Sequence, residues 1–113
     1  MRKITMETLI AYNRAICEAE GAVSQIINEN NLKSAISVQY SYFNSDEEIA
    51  AALFRSLIVG HGFQDGNKRV GVVCIMDILP PNISDIALGD ITMKCAAGEL
   101  TNVAEIAELL YEQ

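Results

Sequence analysis

A mainly α-helical domain is predicted by three features of this sequence. Ser45-Asp46-Glu47-Glu48 is a reciprocal helix start, in which Ser45 caps the amide of Glu48 and the Glu48 carboxylate reaches back to the amide of Ser45. Ile49, Ala52, Leu53, Ser56 and Leu57 then share one helical face as far as Gly60. Asn102, with Glu105 three residues on, opens a second stripe of Val103, Ile106, Ala107 and Leu110.

Taken from the N-terminus, Thr5 can cap a first helix whose residues Met6, Leu9, Ile10, Ile16 and Cys17 approximate one face, and Gly21 ends it. Val23, Ile26 and Ile27 predict a short helical turn, closed by the poor helix sequence Asn28-Glu29-Asn30-Asn31. Leu32, Ala35 and Ile36 keep helical spacing, yet Ile36, Val38, Tyr40 and Tyr42 alternate with polar residues like a half-buried strand. A helix giving way to an extended, exposed segment before Asn44 satisfies both patterns. Val70 to Leu79 is apolar all round and fits a buried helix or a buried strand. Its valines favour the strand, and its length and helical surroundings favour the helix. Pro80-Pro81 stops it. Ser84 can cap a further helix through Ile86, Ile91 and Cys95, broken near Gly98.

The chain has 113 residues, a length suited to one domain spanning 1–113 with a single core. Hydrophobic residues make up 50%, a globular and not a disordered composition. A net charge of −7 argues against general affinity for nucleic acid or an anionic membrane surface. The three cysteines, Cys17, Cys74 and Cys95, lie in apolar surroundings without metal-ligand spacing, and so read as buried thiols of a reducing compartment. The first residues, Met1-Arg2-Lys3-Ile4-Thr5-Met6-Glu7, lack a signal-peptide apolar run, and no stretch approaches the roughly 20 apolar residues that cross a bilayer. The expected location is the cytoplasm.

One segment concentrates chemistry. His61-Gly62-Phe63-Gln64-Asp65-Gly66-Asn67-Lys68-Arg69 holds the sole histidine, a carboxylate and two adjacent cations between two apolar segments. With helices on both sides, the loop ends at a helix N-terminus, where free amides and the positive end of the dipole favour an anion. Gly66 permits the sharp turn that aims successive amides at one point. Asn67, Lys68 and Arg69 add an amide donor, a point charge and a planar fork suited to phosphate oxygens. Asp65 can hold a magnesium ion or cap the helix, and His61 can accept a hydroxyl proton. Base, metal ligand and phosphate cradle together describe phosphoryl or nucleotidyl transfer. A Walker loop does not fit, because Gly62 and Gly66 are too close and Arg69 follows Lys68.

Taken singly, these residues have plainer readings: His61 as a surface or core histidine, Lys68 and Arg69 as solvated cations, Tyr40 and Tyr42 as core-edge aromatics. Cations at a helix start are unfavourable without an anion, which favours the ligand-binding reading for Lys68 and Arg69.

At this segment the sequence resembles the Fic/Doc family. The family signature is histidine, any residue, phenylalanine, any residue, an acid, glycine or alanine, asparagine, glycine or lysine, and arginine. His61, Phe63, Asp65, Gly66, Asn67, Lys68 and Arg69 match it without a gap. The resemblance runs from about Asn31 to the end, including Ala97-Gly98-Glu99-Leu100-Thr101, and is loose over the first 30 residues. It implies a helical bundle with a small β-hairpin flap beside the active-site loop, where a target segment docks as an added strand. Val38, Tyr40 and Tyr42 are the expected flap residues. It further implies His61 as general base, Asp65 as magnesium ligand, Gly66, Asn67, Lys68 and Arg69 as the nucleotide phosphate site, and Phe63 as the loop's anchor.

Two departures indicate a branch. Members that transfer AMP usually carry glycine at Lys68 and a second arginine at the position of Val72. Lys68 without that arginine resembles the Doc toxin branch, in which ATP lies inverted and its terminal phosphate passes to a threonine of elongation factor Tu, stopping translation. Gly62 replaces a frequent proline, which leaves the loop freer. The family's inhibitory motif is not matched, since Ile16 stands at the hydroxyl position before Glu20-Gly21, and Ile106 follows Thr101 to Glu105. A separate antitoxin is therefore the expected inhibitor. AMP transfer and a non-catalytic nucleotide- or partner-binding domain are the alternative functions.

Overall fold

Thr5 opens the first helix in the computed structural model, which describes residues 1–41, 43 and 45–112. Its side chain accepts from the amide of Thr8, and Gly21, at φ 68°, closes α1 (Met6–Glu20) in the left-handed conformation that favours glycine. Asn28 caps α2 (Glu29–Ser37) through the amide of Asn31. Ser45 caps α3 (Asp46–Gly60) through the amide of Glu48, as its acidic first turn predicts. The remaining helices are α4 (Asn67–Ile78), α5 (Asp85–Ala96) and α6 (Val103–Tyr111), with Ser84 and Asn102 capping the last two. Among the described residues the fold is helical and contains no strand, which agrees with the predicted class.

α3 is the central element. Ala50, Ala51, Leu53, Phe54, Leu57 and Ile58 are all buried, so it carries a core on each side. Phe54 and Ile58 face α5 and α6, with Ile91, Ile106 and Leu110. Leu53 and Leu57 face α1, α2 and the loop, with Leu9, Leu32 and Phe63. Truncating a side chain buried like Phe54 costs about 3–5 kcal/mol. α4 packs along α3 at Gly71, where a Cβ would lie 2.9 Å from Ile58 Cγ1 and 3.3 Å from the Phe54 carbonyl. That close approach explains a glycine inside a helix, where it costs about 1 kcal/mol against alanine. Residues 70–78 are thus helical, and the two prolines fall just after α4 ends.

Three local expectations are corrected. The stretch from Ala22 to Asn28 is extended, not a helical turn, because the amides of Ile27 and Asn28 donate to the Gly62 carbonyl and the amide of Gln64 donates to the Gln25 carbonyl. Asn28 begins a helix where a break was expected, since its side chain serves as the cap. The expected flap strand at 36–42 is instead the end of α2 and a 3-10 turn, Val38–Tyr40. Tyr42 lies outside the described residues. The alternation misleads because the buried residue is polar: Gln39 Oε1 accepts from the Ile4 amide at 2.7 Å, and Gln39 Nε2 donates to the carbonyls of Ile4 and Ile36. Tyr40 is 70% exposed, with Lys3 Nζ 5.3 Å from its ring centre. Val38 is half-buried against the core. The extended edge on which Val38, Tyr40 and Tyr42 were assigned to docking is therefore absent from 38–41.

The three thiols are free and buried, as predicted. Among the described residues, no helix is long and apolar enough to cross a membrane.

Candidate active site

The loop between α3 and α4 is held from below by α1 and from the side by the 22–28 segment. His61 ends α3 at φ 47°, ψ 49°, the sole non-glycine residue with positive φ among those described. Glycine is usual there, and holding a larger side chain in a sparsely populated conformation costs of order 1 kcal/mol. The imidazole is exposed, with no hydrogen-bond partner among the described residues.

Gly62 is buried, and its carbonyl receives both Ile27 N–H (2.9 Å) and Asn28 N–H (3.1 Å). A Cβ at this position would sit 2.3 Å from Leu32 Cδ2 and 2.4 Å from Leu32 Cγ. The glycine therefore does not free the loop, as its exchange for proline suggested; it lets the loop press onto α2. Phe63 is buried beside Leu9, Leu32 and Leu53 and anchors the loop as expected. It also pairs with Ile26 in an isolated antiparallel bridge.

Asn67 closes the turn. Its Oδ1 accepts from the Phe63 amide at 3.0 Å and its Nδ2 donates to the Phe63 carbonyl at 2.8 Å. Both ends of the carboxamide are spent on the loop itself, so what Asn67 offers an anion is its backbone N–H. Gly66 precedes it at φ 84° and supplies no side-chain cap to α4. The first amides of that helix are thus left for an outside acceptor.

Asp65 Oδ2 accepts from the Val23 amide at 3.0 Å, leaving the other carboxylate oxygen uncommitted. Its carbonyl receives Asn13 Nδ2 at 2.7 Å and lies 3.8 Å from Cys17 Sγ. Burial, with the charges of Asp65 and Glu20, raises the Cys17 thiol pKa. Among the described residues no three His, Cys, Asp or Glu cluster as a metal site. Asp65 with phosphate oxygens and water remains a fitting set for magnesium, which commonly takes one or two carboxylates and completes its shell from substrate and solvent.

Lys68 and Arg69 are exposed and both line a groove of about 710 Å³ between α4 and α5, with Val72, Leu88, Thr92 and Asp85. Arg69 also borders a second groove, about 410 Å³, against Ala15, Ile16 and Glu20 of α1. There Arg69 Nε meets Glu20 Oε1 at 2.9 Å. His61 lines neither groove. The structure thus gathers Phe63, Asp65, Gly66 and Asn67 against α1, sets Lys68 and Arg69 on the outer face of α4, and leaves His61 at the loop's far end.

Sequence reasoning missed Asn13 and Ser24, and named Cys17 only as a buried thiol and Glu20 only in setting the inhibitory motif aside. A signal was present in α1: Leu9, Asn13 and Cys17 recur at four-residue spacing and are its buried residues, so Asn13 stands as a polar residue on the buried face. Comparison with curated proteins gives no match. A family model described as Fic/DOC family matches residues 3–79. The match includes the whole loop but corrects the expected extent at both ends: it begins at residue 3, where the resemblance was read as loose, and ends at Leu79, so it does not take in the Ala97 to Thr101 stretch read as part of the resemblance. It covers more than half of the 113 residues, and this chain belongs to the Fic/DOC family.

Proposed function

We propose that this chain is a Doc-type toxin that transfers the terminal phosphate of ATP to a protein hydroxyl, by resemblance a threonine of elongation factor Tu, in the cytoplasm. A separate antitoxin would restrain it. The observation that carries the reading is the unbroken run from His61 to Arg69, which begins at the imidazole and ends in an uncapped helix start with two exposed cations. Family membership supports transfer of a phosphoryl or nucleotidyl group to a protein. Lys68, with Val72 in place of a second arginine, favours the phosphoryl form.

In this reading His61 takes the proton from the target hydroxyl, whose oxygen attacks the terminal phosphorus of ATP. The bond to the bridging oxygen breaks and ADP leaves with its electron pair. The backbone N–H groups of Gly66 and Asn67, with Lys68 and Arg69, hold the phosphates against their mutual repulsion. Magnesium, held by Asp65, supplies neutralisation of phosphate charge when bound. The target docks along the 22–28 segment. Ile26 faces Phe63 with the ladder bonds made by its neighbours, so its own N–H and C=O point outward as an open edge.

Incubation with ATP, magnesium and a bacterial lysate tests the proposal. Label carried at the γ position is expected on a protein band, and His61→Ala is expected to abolish it while keeping the wild-type melting temperature. Transfer of α label assigns AMP transfer instead. A folded protein that transfers neither label overturns the enzymatic reading.

A further inference from the structure

Asn13 lies on α1, outside the loop and remote from it in sequence, yet it is fully buried at 0% exposure. A buried carboxamide is costly unless both its ends are bonded, and an apolar residue would fill the same space more cheaply. Both ends are bonded here. Ser24 Oγ donates to Asn13 Oδ1 at 2.8 Å, which turns the other end, Nδ2, towards the Asp65 carbonyl at 2.7 Å.

That carbonyl belongs to the same planar unit as the N–H of Gly66. No peptide bond among the described residues is cis, so the two groups point in opposite directions. Drawing the Asp65 oxygen down onto α1 therefore drives the Gly66 N–H up and away from it. We infer that Asn13 is a positioning residue, which by gripping the Asp65 carbonyl aims the Gly66 N–H at the phosphate-binding face of the loop. Ser24 sets the direction of that grip. It sits on the extended segment whose neighbour Gln25 pairs with Gln64, so α1, the segment and the loop meet at one carboxamide. Gly66 leaves room for this contact, since a Cβ there would approach Asn13 Nδ2 to 3.2 Å.

The inference rests on the proposed ATP-binding reading, and the experiment separates the two. Isotope-labelled wild-type protein and the variants Asn13→Ala, Asn13→Asp, Ser24→Ala and Lys68→Ala are followed by amide NMR, first without ligand and then with magnesium and ATP. In wild type the Gly66 amide signal moves when ATP is added. Without ligand, Asn13→Ala displaces that signal, whereas Lys68→Ala leaves it in place. Asn13→Ala then binds ATP about tenfold more weakly with the Gly66 response lost, and Ser24→Ala lies between. If Asn13→Ala fails to fold, the near-isosteric Asn13→Asp and the exposed-site Ser24→Ala carry the same comparison. An Asn13 variant with wild-type ATP affinity and an unmoved Gly66 signal overturns the inference alone. Wild-type protein that binds no ATP overturns the ATP-binding reading, and the phosphate role of Gly66 with it.

Discussion

Arg69 of α4 and Glu20 at the end of α1 form an ion pair, Nε to Oε1 at 2.9 Å, across the mouth of the α1–α4 groove. Their side chains are 68% and 42% exposed, so solvent screens the pair and its contribution to stability is small, of order 0.2–1 kcal/mol. Its larger effect is on charge: a carboxylate occupies a cation that the proposed function assigns to phosphate.

Glu20→Gln should therefore leave the melting temperature almost unchanged while tightening ATP binding by about two- to fivefold, the range a surface pair can supply. Calorimetric titration at low salt measures it. Equal affinities for variant and wild type would show that Glu20 does not compete.

Gly62→Ala should destabilise the fold, because the new methyl group overlaps Leu32 at its Cγ as well as at its flexible end. Overpacking of this kind costs about 1–3 kcal/mol. The urea midpoint should fall accordingly, and Leu32→Ala in the same chain should relieve part of the Gly62→Ala penalty. Purely additive losses in the double variant would contradict the steric account.

Asn67→Ala should cost about 2–4 kcal/mol, since it strands the buried N–H and C=O of Phe63 together. Asn67→Asp keeps the acceptor for the Phe63 amide but loses the donor to its carbonyl, so it should be milder. A loop that tolerated Asn67→Ala with an unchanged urea midpoint would assign this side chain to ligand contact and not to closure of the turn.

Stability should fall on the alkaline side. Burial pushes the Cys74 thiol up to about 12 from 9.0, with the charge of Asp77 adding to it. The folded state thus keeps a proton that the unfolded chain releases. The stabilisation is complete below pH 9 and is lost as pH climbs towards 12, with a slope approaching 1.4 kcal/mol per pH unit for this one group. Tyr12 and Tyr111, both raised chiefly by burial, act in the same direction. Urea unfolding at a series of pH values tests this, and Cys74→Ala should flatten the decline after its own cavity cost is subtracted.

The legible parts of the sequence were those governed by local chemistry. Thr5, Ser45, Ser84 and Asn102 act as caps where their spacing predicts. Of the stripe expected on α3, Ala52, Leu53 and Leu57 are buried and Ile49 and Ser56 half-buried, while the second face, with Ala50, Phe54 and Ile58, was not foreseen because a central helix packs on two sides. The loop's order of residues was equally legible, because the motif is contiguous. What escaped depends on partners far along the chain. Val23, Ile26 and Ile27 have helical spacing but meet Asp65, Phe63 and Gly62, and Gln39 is drawn inward by the backbone of Ile4. Asn67 looked like a phosphate donor by position and proves to be committed to Phe63. Asn13 gave a signal in its four-residue spacing, but only the fold shows which carbonyl it meets.

The residues ahead of α1 have a practical consequence. Ile4, 1% exposed, is laced to Gln39 through both its amide and its carbonyl, while Arg2 and Tyr12 both meet Asp77 on α4. Trimming the chain to begin at its first helical residue would remove Ile4 from the core it shares with Leu9, Leu32 and Leu53 and leave the Gln39 side chain bonded, among the described residues, to Ile36 alone. Expression designs should accordingly retain the leading residues and carry any purification handle at the other end.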